Sequence, residues 1–327
     1  MSYLRKIISV TVLFASLTAG GVGYASPAWP DHQVRTVVPF PPGGAADLVA
    51  RLIAEKLSAT TGQSFVVENR AGASGTIGAQ TVARSNPDGH TLLLASPAEV
   101  LVGKIAGQHA GYDPETDLVP VTLVGETPLA VVTNLQTGII SFQQLLDQAR
   151  RPDTTISYGT PGIASPQHFA GESINLIGQT KMLHVPYRGA TLVTQDLMGH
   201  QIPVAVLGMP PVVEHQRAGK LKILAVTSRQ RAPALPEVPS VSETPGFSDY
   251  NFTNWFGVFV PKGTPAPMVD EISSRIREVL KQEDIVTKLR AQGMEARATT
   301  VEEFKAFLAD QKVKYLTVQK KSGIRIE

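Results

Sequence analysis

Short apolar runs alternate with longer segments of helical periodicity along nearly the whole chain. Runs such as Val34–Val38 and Leu221–Val226 have the length and aliphatic content of buried strands, whereas Ala45–Thr60 repeats its apolar residues at helical spacing. Strand–helix alternation on this scale predicts an α/β protein with mostly parallel sheets. The predicted strands are Val34–Val38, Ser64–Val67, Thr91–Ala95, Val119–Val124, Leu129–Thr133, Thr155–Tyr158, Met182–Val185, Ile202–Leu207, Leu221–Val226 and Trp255–Val260. The predicted helices are Ala45–Thr60, Thr76–Arg84, Phe142–Arg150, Ser165–Leu176, Ala190–Met198, one that starts at Thr264-Pro265, and one from Thr300 to about Lys321.

Polar residues and a proline predict where three of these helices begin. Ser141 and Gln144 have the spacing of a capping box, in which each residue's side chain accepts from the other's backbone. Thr300 and Glu303 repeat that spacing ahead of the last helix. Pro166 stands where a first helical residue is expected, because its missing N–H costs nothing there.

The number and order of these elements predict two lobes. After a signal segment about 300 residues remain, more than one hydrophobic core usually serves. A breaker-rich tract, Arg231–Tyr250, predicts a long loop or crossover, and the strand and helices after it have no strand series of their own. We therefore expect the chain to return through two crossover strands. Lobe 1 is predicted as 26–127 plus 251–327 and lobe 2 as 128–250, with a ligand cleft between them.

The amino-terminal segment predicts export. Arg5 and Lys6 precede the apolar run Ile7–Ala19, and Gly23-Tyr24-Ala25 offers the small residues that a signal peptidase recognises. Residues 1–25 are therefore predicted to be a cleaved signal peptide; the alternative of a membrane anchor needs about 20 apolar residues, more than this run supplies.

Composition narrows the function classes. The chain has no cysteine, which excludes disulfides, thiolate catalysis, cysteine-based zinc sites and a lipid-modified terminal cysteine. The formal charge of +2 falls to zero once Arg5 and Lys6 are removed, and aromatic residues make up only 6%, so nucleic-acid binding has no support. We expect an exported protein that is free in its compartment.

Two strand-to-helix turns carry the candidate chemistry. Pro39–Asp47 leaves an apolar strand through two prolines and two glycines, and Tyr158–His168 leaves another through two glycines and hydroxyl side chains. Each turn can present backbone N–H groups at a helix N-terminus, where anions are stabilised. Facing each other across a cleft, they would hold an anion between opposed dipole ends. The alternative is that each is only a tight turn.

Three other features bear on ligand binding. The glycine-rich segment Asn69–Gly78 lacks both the P-loop spacing and a dinucleotide fingerprint, so nucleotide binding is weakly supported. Tyr187-Arg188-Gly189 ends a strand and offers anion contacts, although Arg188 is equally typical of a solvated surface charge. Asp47 and Arg51, four residues apart, favour an ion pair on one helix.

No catalytic or metal-binding set emerges from the sequence. The seven histidines are scattered without a metal-binding motif, and no Gly-x-Ser-x-Gly elbow is present. We therefore predict neither a catalytic residue, nor a metal site, nor a cofactor.

The chain resembles the Bug-type receptors of tripartite tricarboxylate transporters, a family of periplasmic solute-binding proteins. The matching segments follow the same order over nearly the whole mature chain: Pro39–Gly44 with Asp47 and Ala50-Arg51, Val67–Ala73, Pro87–Leu92, Tyr112–Pro114, Asp117–Val121, Val185–Gly189, Ala218–Leu221, Leu224–Ser228, Leu235–Pro239 and Trp255–Gly257.

The resemblance implies a fold of the periplasmic binding protein type II class, a two-lobed "Venus flytrap" that binds carboxylates largely through backbone amides and water. It implies a di- or tricarboxylate or an aromatic carboxylate as ligand, membrane transporter subunits or a sensor as partner, and a monomer. The predicted contacts are Phe40, Pro41, Gly43, Gly44, Ala46, Asp47 and Ser96 in lobe 1, and Gly159, Thr160, Ala164, Ser165, His168, Tyr187, Arg188 and Gly189 in lobe 2.

Two departures and three alternatives accompany this interpretation. Where relatives often have an acidic residue, this chain has Leu207-Gly208-Met209, which argues against an amino-acid ligand; Tyr315 replaces a frequent tryptophan without an evident functional consequence. An exported hydrolase-like enzyme on the same scaffold remains open, since a fold does not fix a function. A receptor that feeds a sensor is a second alternative. The ligand-sensing half of a transcription regulator is a third, which the signal peptide and the missing DNA-binding segment oppose.

Overall fold

The computed structural model describes residues 29–326, so the predicted signal peptide, 1–25, lies outside the described residues. Within that range the strands are β1 Val34–Val38, β2 Phe65–Asn69, β3 Thr91–Ala95, β4 Leu118–Asn134, β5 Ser157–Thr160, β6 Leu183–Pro186, β7 Val204–Gly208, β8 Leu221–Val226, β9 Thr253–Pro261 and β10 Glu295–Ala296. The helices are α1 Ala45–Thr61, α2 Thr76–Ala83, α3 Gly103–Ile105, α4 Pro114–Asp117, α5 Phe142–Ala149, α6 Pro166–Gly178, α7 Ala190–Met198, α8 Met209–Arg217, α9 Ala266–Leu280, α10 Glu283–Ala291 and α11 Val301–Ser322. Short 3₁₀ segments span Ala73–Gly75, Leu135–Thr137 and Val241–Glu243, and a π segment spans Ala98–Val102.

All these strands belong to one sheet in the order β2-β1-β3-β9-β4-β7-β5-β6, with β8 and β10 also paired to β4. β1 pairs in parallel with β2 and β3, and β5 pairs in parallel with β6 and β7. β4 is antiparallel to β7, β8, β9 and β10. The predicted α/β class is confirmed. The expectation of mostly parallel sheets is wrong: five of the nine strand pairings within the described residues are antiparallel, and all five involve β4 or β9.

β4 is a single strand that passes through both halves of the sheet. The prediction of two strands, Val119–Val124 and Leu129–Thr133, is wrong because Gly125 and Pro128 do not break the chain. Pro128 stays in register opposite Thr253 of β9, and the register shifts of this pairing lie earlier in β4, between Pro120 and Thr122 and between Leu123 and Gly125. A partner strand along this stretch therefore overrides the local breaker signal.

The carboxyl ends of both parallel sets point toward the middle of β4. In one half, Ala95 at the end of β3 pairs with Gly257 of β9, near the point where β9 meets the centre of β4. In the other half, Gly208 at the end of β7 pairs with Leu129 of β4. The turns that follow β1 and β3 therefore converge with those that follow β5, β6 and β7. Ligands of α/β proteins bind at such carboxyl ends.

Helix α11 joins the two halves on one face of the sheet. It packs on β4 and on α6, and its buried Tyr315 meets Phe169 of α6 with ring centroids 5.0 Å apart. Phe252, which precedes β9, packs on the same tyrosine at 5.7 Å. These rings belong to one buried apolar cluster that includes residues of both halves. The proposed lobe limits at 127/128 and 250/251 stay a prediction.

The predicted starts of the helices are confirmed in part. The Thr300–Glu303 capping box is confirmed, and Pro166 is the first residue of α6. Ser141 does cap α5, but the second half of its predicted box is wrong. The Gln144 side chain accepts from the N–H of Ile140 at 2.8 Å instead. α8 and α10 were not predicted. No helix within 29–326 is long and apolar enough to cross a membrane.

Candidate functional site

The turn after β1 is shaped by a buried carboxylate, Asp47. Asp47 is only 3% exposed, and its carboxylate accepts hydrogen bonds from Arg51 Nε and the Gly43 N–H, both at 3.0 Å, and from Asn69 Nδ2 at 2.9 Å. Asn69 also donates to the Phe40 carbonyl at 3.1 Å. The bond from Arg51, followed by those from Gly43 and Asn69, lowers the pKa of Asp47 to about 2. Asp47 therefore remains ionised and fixes the turn, and the predicted Asp47–Arg51 pair is present.

This turn leaves the N-terminus of α1 open. The N-cap is Gly44, which has no side chain to accept from the first N–H groups of the helix. Gly43 adopts a φ of +85°, a conformation that favours glycine. Among residues 29–326, no acceptor pairs with the N–H groups of Ala45, Ala46 or Asp47. Three adjacent donors thus lie at the positive end of a 17-residue helix, the kind of terminus at which anions are stabilised.

Ser96, just past β3, is held by Glu99, a residue that is not among the predicted contacts. Glu99 is 4% exposed, and its Oε2 accepts from the Ser96 hydroxyl at 2.7 Å and the Ser96 N–H at 3.0 Å. Its Oε1 is buried against Gly75 and has no partner in the described part of the chain, and burial raises the pKa of Glu99 to about 7. The Ser96 hydroxyl is therefore directed at Glu99. The sequence offered one sign of this role, namely that Glu99 is an isolated acidic residue within an apolar segment.

Two histidines hold the turn after β5 through hydrogen bonds. Thr160 Oγ1 lies 2.7 Å from His184 Nε2, and the Ala164 N–H donates to His168 Nδ1 at 3.1 Å. The imidazoles of His168 and His184 stack with centroids 3.5 Å apart. Burial lowers the pKa of His168 to about 3 and that of His184 to about 4, so both are neutral at pH 7. Neutral rings hold this turn without adding charge to it.

The N-terminus of α6 is more fully capped than that of α1. The Ser165 hydroxyl accepts from the His168 N–H at 3.2 Å. Within the described chain, the N–H groups of Gly162, Ile163 and Gln167 are left without an acceptor. The second turn therefore offers fewer consecutive donors than the first.

The segment Tyr187–Gly189 packs directly against this turn. The N–H of Tyr187 donates to the Thr160 carbonyl at 3.0 Å and that of Gly189 to the Pro161 carbonyl at 2.9 Å. The Tyr187 hydroxyl donates its proton to Asp196 at 2.7 Å, so this donor is already used within the protein. The Arg188 side chain is exposed and makes no hydrogen bond with any described residue. The structure thus gathers the predicted lobe 2 residues into one cluster but leaves Arg188 at its surface.

The predicted residues form two groups, one at the ends of β1 and β3 and one at the ends of β5 and β6. No hydrogen bond between described residues joins the two groups. Their facing positions follow from the strand directions given above. The role of each residue as a ligand contact stays a prediction.

A large cavity lies elsewhere, over the centre of β4. It has a volume of about 790 Å³ and is lined by none of the fifteen predicted contacts. Some of its polar lining groups are paired: Glu126 accepts from Thr253 at 2.8 Å and pairs with Arg297 at 3.2 Å, while Lys314 donates to the Asn251 carbonyl at 2.7 Å. Volume alone would favour this cavity, but the unpaired donors at the strand ends favour the two turns.

The chain is similar to known proteins in both fold and sequence. The family described as "Tripartite tricarboxylate transporter family receptor" matches residues 49–324. Protein BugT of Bordetella pertussis is 31% identical over 325 residues, 99% of each chain. The structure of R. palustris Rpa4515 with adipate is 31% identical with a TM-score of 0.81, covering 91% of this chain and 99% of that one. MatC (Rpa3494) from Rhodopseudomonas palustris with bound malate is 26% identical with a TM-score of 0.75, covering 88% and 99%.

The α/β fold, with two parallel strand sets converging on a crossover strand, is that of the periplasmic solute-binding proteins. Within that class, the chain belongs to the tripartite tricarboxylate transporter receptor family. The resemblance noted in the sequence is confirmed.

Proposed function

We propose that the protein is a periplasmic receptor that captures a small organic carboxylate between the turn Phe40–Asp47 and the cluster formed by Gly159–His168 with Tyr187–Gly189. The observation that carries the proposal is the open N-terminus of α1, with three adjacent N–H groups lacking an acceptor among the described residues. A carboxylate supplies the acceptors and the negative charge that such an end stabilises.

The two groups suit a receptor that closes on its ligand. A carboxylate held at α1 and also contacted by the free N–H groups of Gly162 and Ile163 would bind the closed form more tightly than the open one. Only such a difference in affinity drives closure. His168 and His184 are neutral, so they add no charge that would hold an anion when the second half moves away.

A dicarboxylate is the ligand class we favour. The relatives whose structures contain adipate and malate are 31% and 26% identical to this chain. Leu207-Gly208-Met209 at the end of β7 offers no carboxylate for an ammonium group, which argues against an amino acid. We propose that the loaded receptor delivers its ligand to a transporter of the tripartite tricarboxylate kind, with a sensor as the alternative destination.

The test is a thermal-shift and calorimetric screen of residues 26–327 with adipate, malate, benzoate, glutamate and the neutral diamide of adipic acid. A true ligand at about a hundredfold excess over its dissociation constant adds roughly 2.7 kcal/mol of stability. We expect a shift with the dicarboxylates and none with the diamide. A shift with the diamide but not with the acids would refute the anion site. Recovery of bound acid unchanged separates a receptor from a hydrolase.

A further inference from the structure

Three metal-ligand side chains meet at the end of the sheet opposite the two predicted turns. Asp31 and His32 come just before β1, and His90 comes just before β3. Because β1 and β3 are parallel neighbours, with Arg35 opposite Thr91, the amino ends of both strands lie side by side. One donor atom from each of the three residues lies within 4.8 Å of the others.

His90 is oriented in the way metal-binding histidines are. Its Nδ1 lies 2.9 Å from the Asp88 carbonyl, and its backbone N–H donates to Asp88 Oδ1, also at 2.9 Å. A proton on Nδ1 leaves the lone pair on Nε2, the arrangement in which a backbone carbonyl fixes the tautomer of a ligand. The side chain is nine-tenths buried.

The free nitrogen of His90 faces Asp31. Nε2 lies 2.9 Å from Asp31 Oδ1 but is not aligned for a hydrogen bond, and it has no partner within residues 29–326. A buried ring nitrogen without a partner is unusual, because burial of an unsatisfied polar atom is unfavourable. A cation between Nε2 and the carboxylate would satisfy both.

His32 completes the set after a small movement. Its Nδ1 lies 2.7 Å from Asp31 Oδ1, and its ring stacks on His90 with centroids 3.6 Å apart. An ion lies in the plane of each ligating ring, so the stack must open. The His32 and Asp31 side chains are 62% and 49% exposed and have room to turn. Donors about 2.0–2.2 Å from a tetrahedral zinc ion are roughly 3.3 Å apart, so donor atoms that already lie within 4.8 Å of one another need only a short translation, together with rotation of the His32 ring out of the stack.

We propose that Asp31, His32 and His90 bind a divalent transition-metal ion, with Zn²⁺ the ion that fits best and water completing its shell. Two imidazoles and one carboxylate suit Zn²⁺ rather than Mg²⁺ or Ca²⁺, which prefer oxygen ligands. The sequence alone predicted no metal site, since His32 and His90 are far apart along the chain and only the β1–β3 pairing brings them together.

The bound ion would act as a clamp on the start of the described chain. It would fasten the segment before β1 to the loop before β3, beside the bond from Trp29 Nε1 to the Gly89 carbonyl at 3.0 Å. Ligand binding takes place, by our proposal, at the opposite ends of these strands. Zn²⁺ should therefore raise the melting temperature and leave carboxylate affinity unchanged.

The test is calorimetric titration of chelator-treated residues 26–327 with Zn²⁺, with Mg²⁺ as the second probe. We expect one Zn²⁺ per chain, no comparable binding of Mg²⁺, and a weakening of about tenfold or more in both His32→Ala and His90→Ala. His109→Ala, which removes an exposed histidine elsewhere, is the matched control and should bind as the wild type does. His32 is exposed, so its variant should fold even if His90→Ala does not.

Absence of saturable Zn²⁺ binding to the wild type would overturn the proposal. So would binding that His32→Ala leaves unchanged, or that His109→Ala weakens equally, because these results indicate adventitious binding only. The metal site and the carboxylate site are tested by different probes, so failure of one is distinguishable from failure of the other.

Discussion

The strongest test of the anion site is a pair of glycine substitutions at opposite ends of α1. Gly43 has a φ of +85° and Gly62 a φ of +73°, and a Cβ added at either would meet no atom within 4 Å. Gly43→Ala and Gly62→Ala therefore carry the same kind of backbone strain, roughly 1–2 kcal/mol, without a steric clash. They differ in position, since Gly43 precedes the open N-terminus and Gly62 caps the C-terminus.

The expected effect on affinity follows from the donors that the turn presents. If alanine at 43 relaxes toward negative φ, the first N–H groups of α1 turn away from the ligand. Loss of one hydrogen bond to a charged group costs about 1.5–3 kcal/mol, which raises the dissociation constant about 10- to 150-fold. Gly62→Ala should lose similar stability and keep wild-type affinity.

The assay is isothermal titration with whichever dicarboxylate gives the largest thermal shift, together with urea unfolding of both variants. Equal affinity losses in the two variants would show that general destabilisation, rather than the α1 terminus, controls binding. Wild-type affinity in Gly43→Ala, with a measured stability loss, would refute the role of this turn directly.

Three further predictions concern side chains around the site. Asp47→Asn should remove roughly 2 kcal/mol of stability at neutral pH, because the pKa of Asp47 falls from 3.8 to about 2 on folding. In the wild type that contribution is lost as the pH falls from about 4 to 2, so acid unfolding should be shallower in the variant. Glu99→Gln should gain stability over the wild type as the pH rises from about 4.5 to 7 and keep that gain at higher pH, since the pKa of Glu99 rises from 4.5 to about 7 on folding and the folded wild type is destabilised as that acid ionises. Tyr187→Phe removes the bond to Asp196 and should cost about 1 kcal/mol with little change in affinity.

Urea unfolding at a series of pH values checks all three variants, with carboxylate titration at pH 7 beside it. A pH-independent difference between Glu99→Gln and the wild type would contradict the raised pKa. An unchanged acid limb in Asp47→Asn would show that its ion pair with Arg51 adds nothing. A large affinity loss in Tyr187→Phe would mean that its hydroxyl turns from Asp196 to the ligand.

Much of the fold was predictable because local and long-range signals agree. Val34–Val38 and Leu221–Val226 are continuous apolar runs, and both are strands with the predicted bounds. Failures came where a distant partner overrode a local signal, as at Pro128 in β4. α8 was not predicted; Pro210 and Pro211 lie in its first turn, where a missing backbone N–H is tolerated, so these prolines are compatible with a helix start.

The site was predictable only in part, for a different reason. The glycines and the helix starts mark where a backbone can approach a ligand, and these positions lie at converging strand ends as expected. The side chains that hold those turns were harder to recognise. Asn69 and His184 act on turns that are distant in sequence, and Glu99 lies among apolar neighbours that give no sign of its bond to Ser96.

Ligand specificity depends on the side chains that hold these turns. If the ligand is held by backbone N–H groups, every sequence that forms the same turns presents the same hydrogen-bond donors to it. The sequence then encodes specificity indirectly, through side chains that fix the turn without touching the ligand. At α1 that role falls to Asp47, whose three bonds set the direction of the helix terminus. Asp47→Asn and Gly43→Ala should therefore weaken every dicarboxylate to a similar degree, whereas a variant that alters preference must change the space between the two turns.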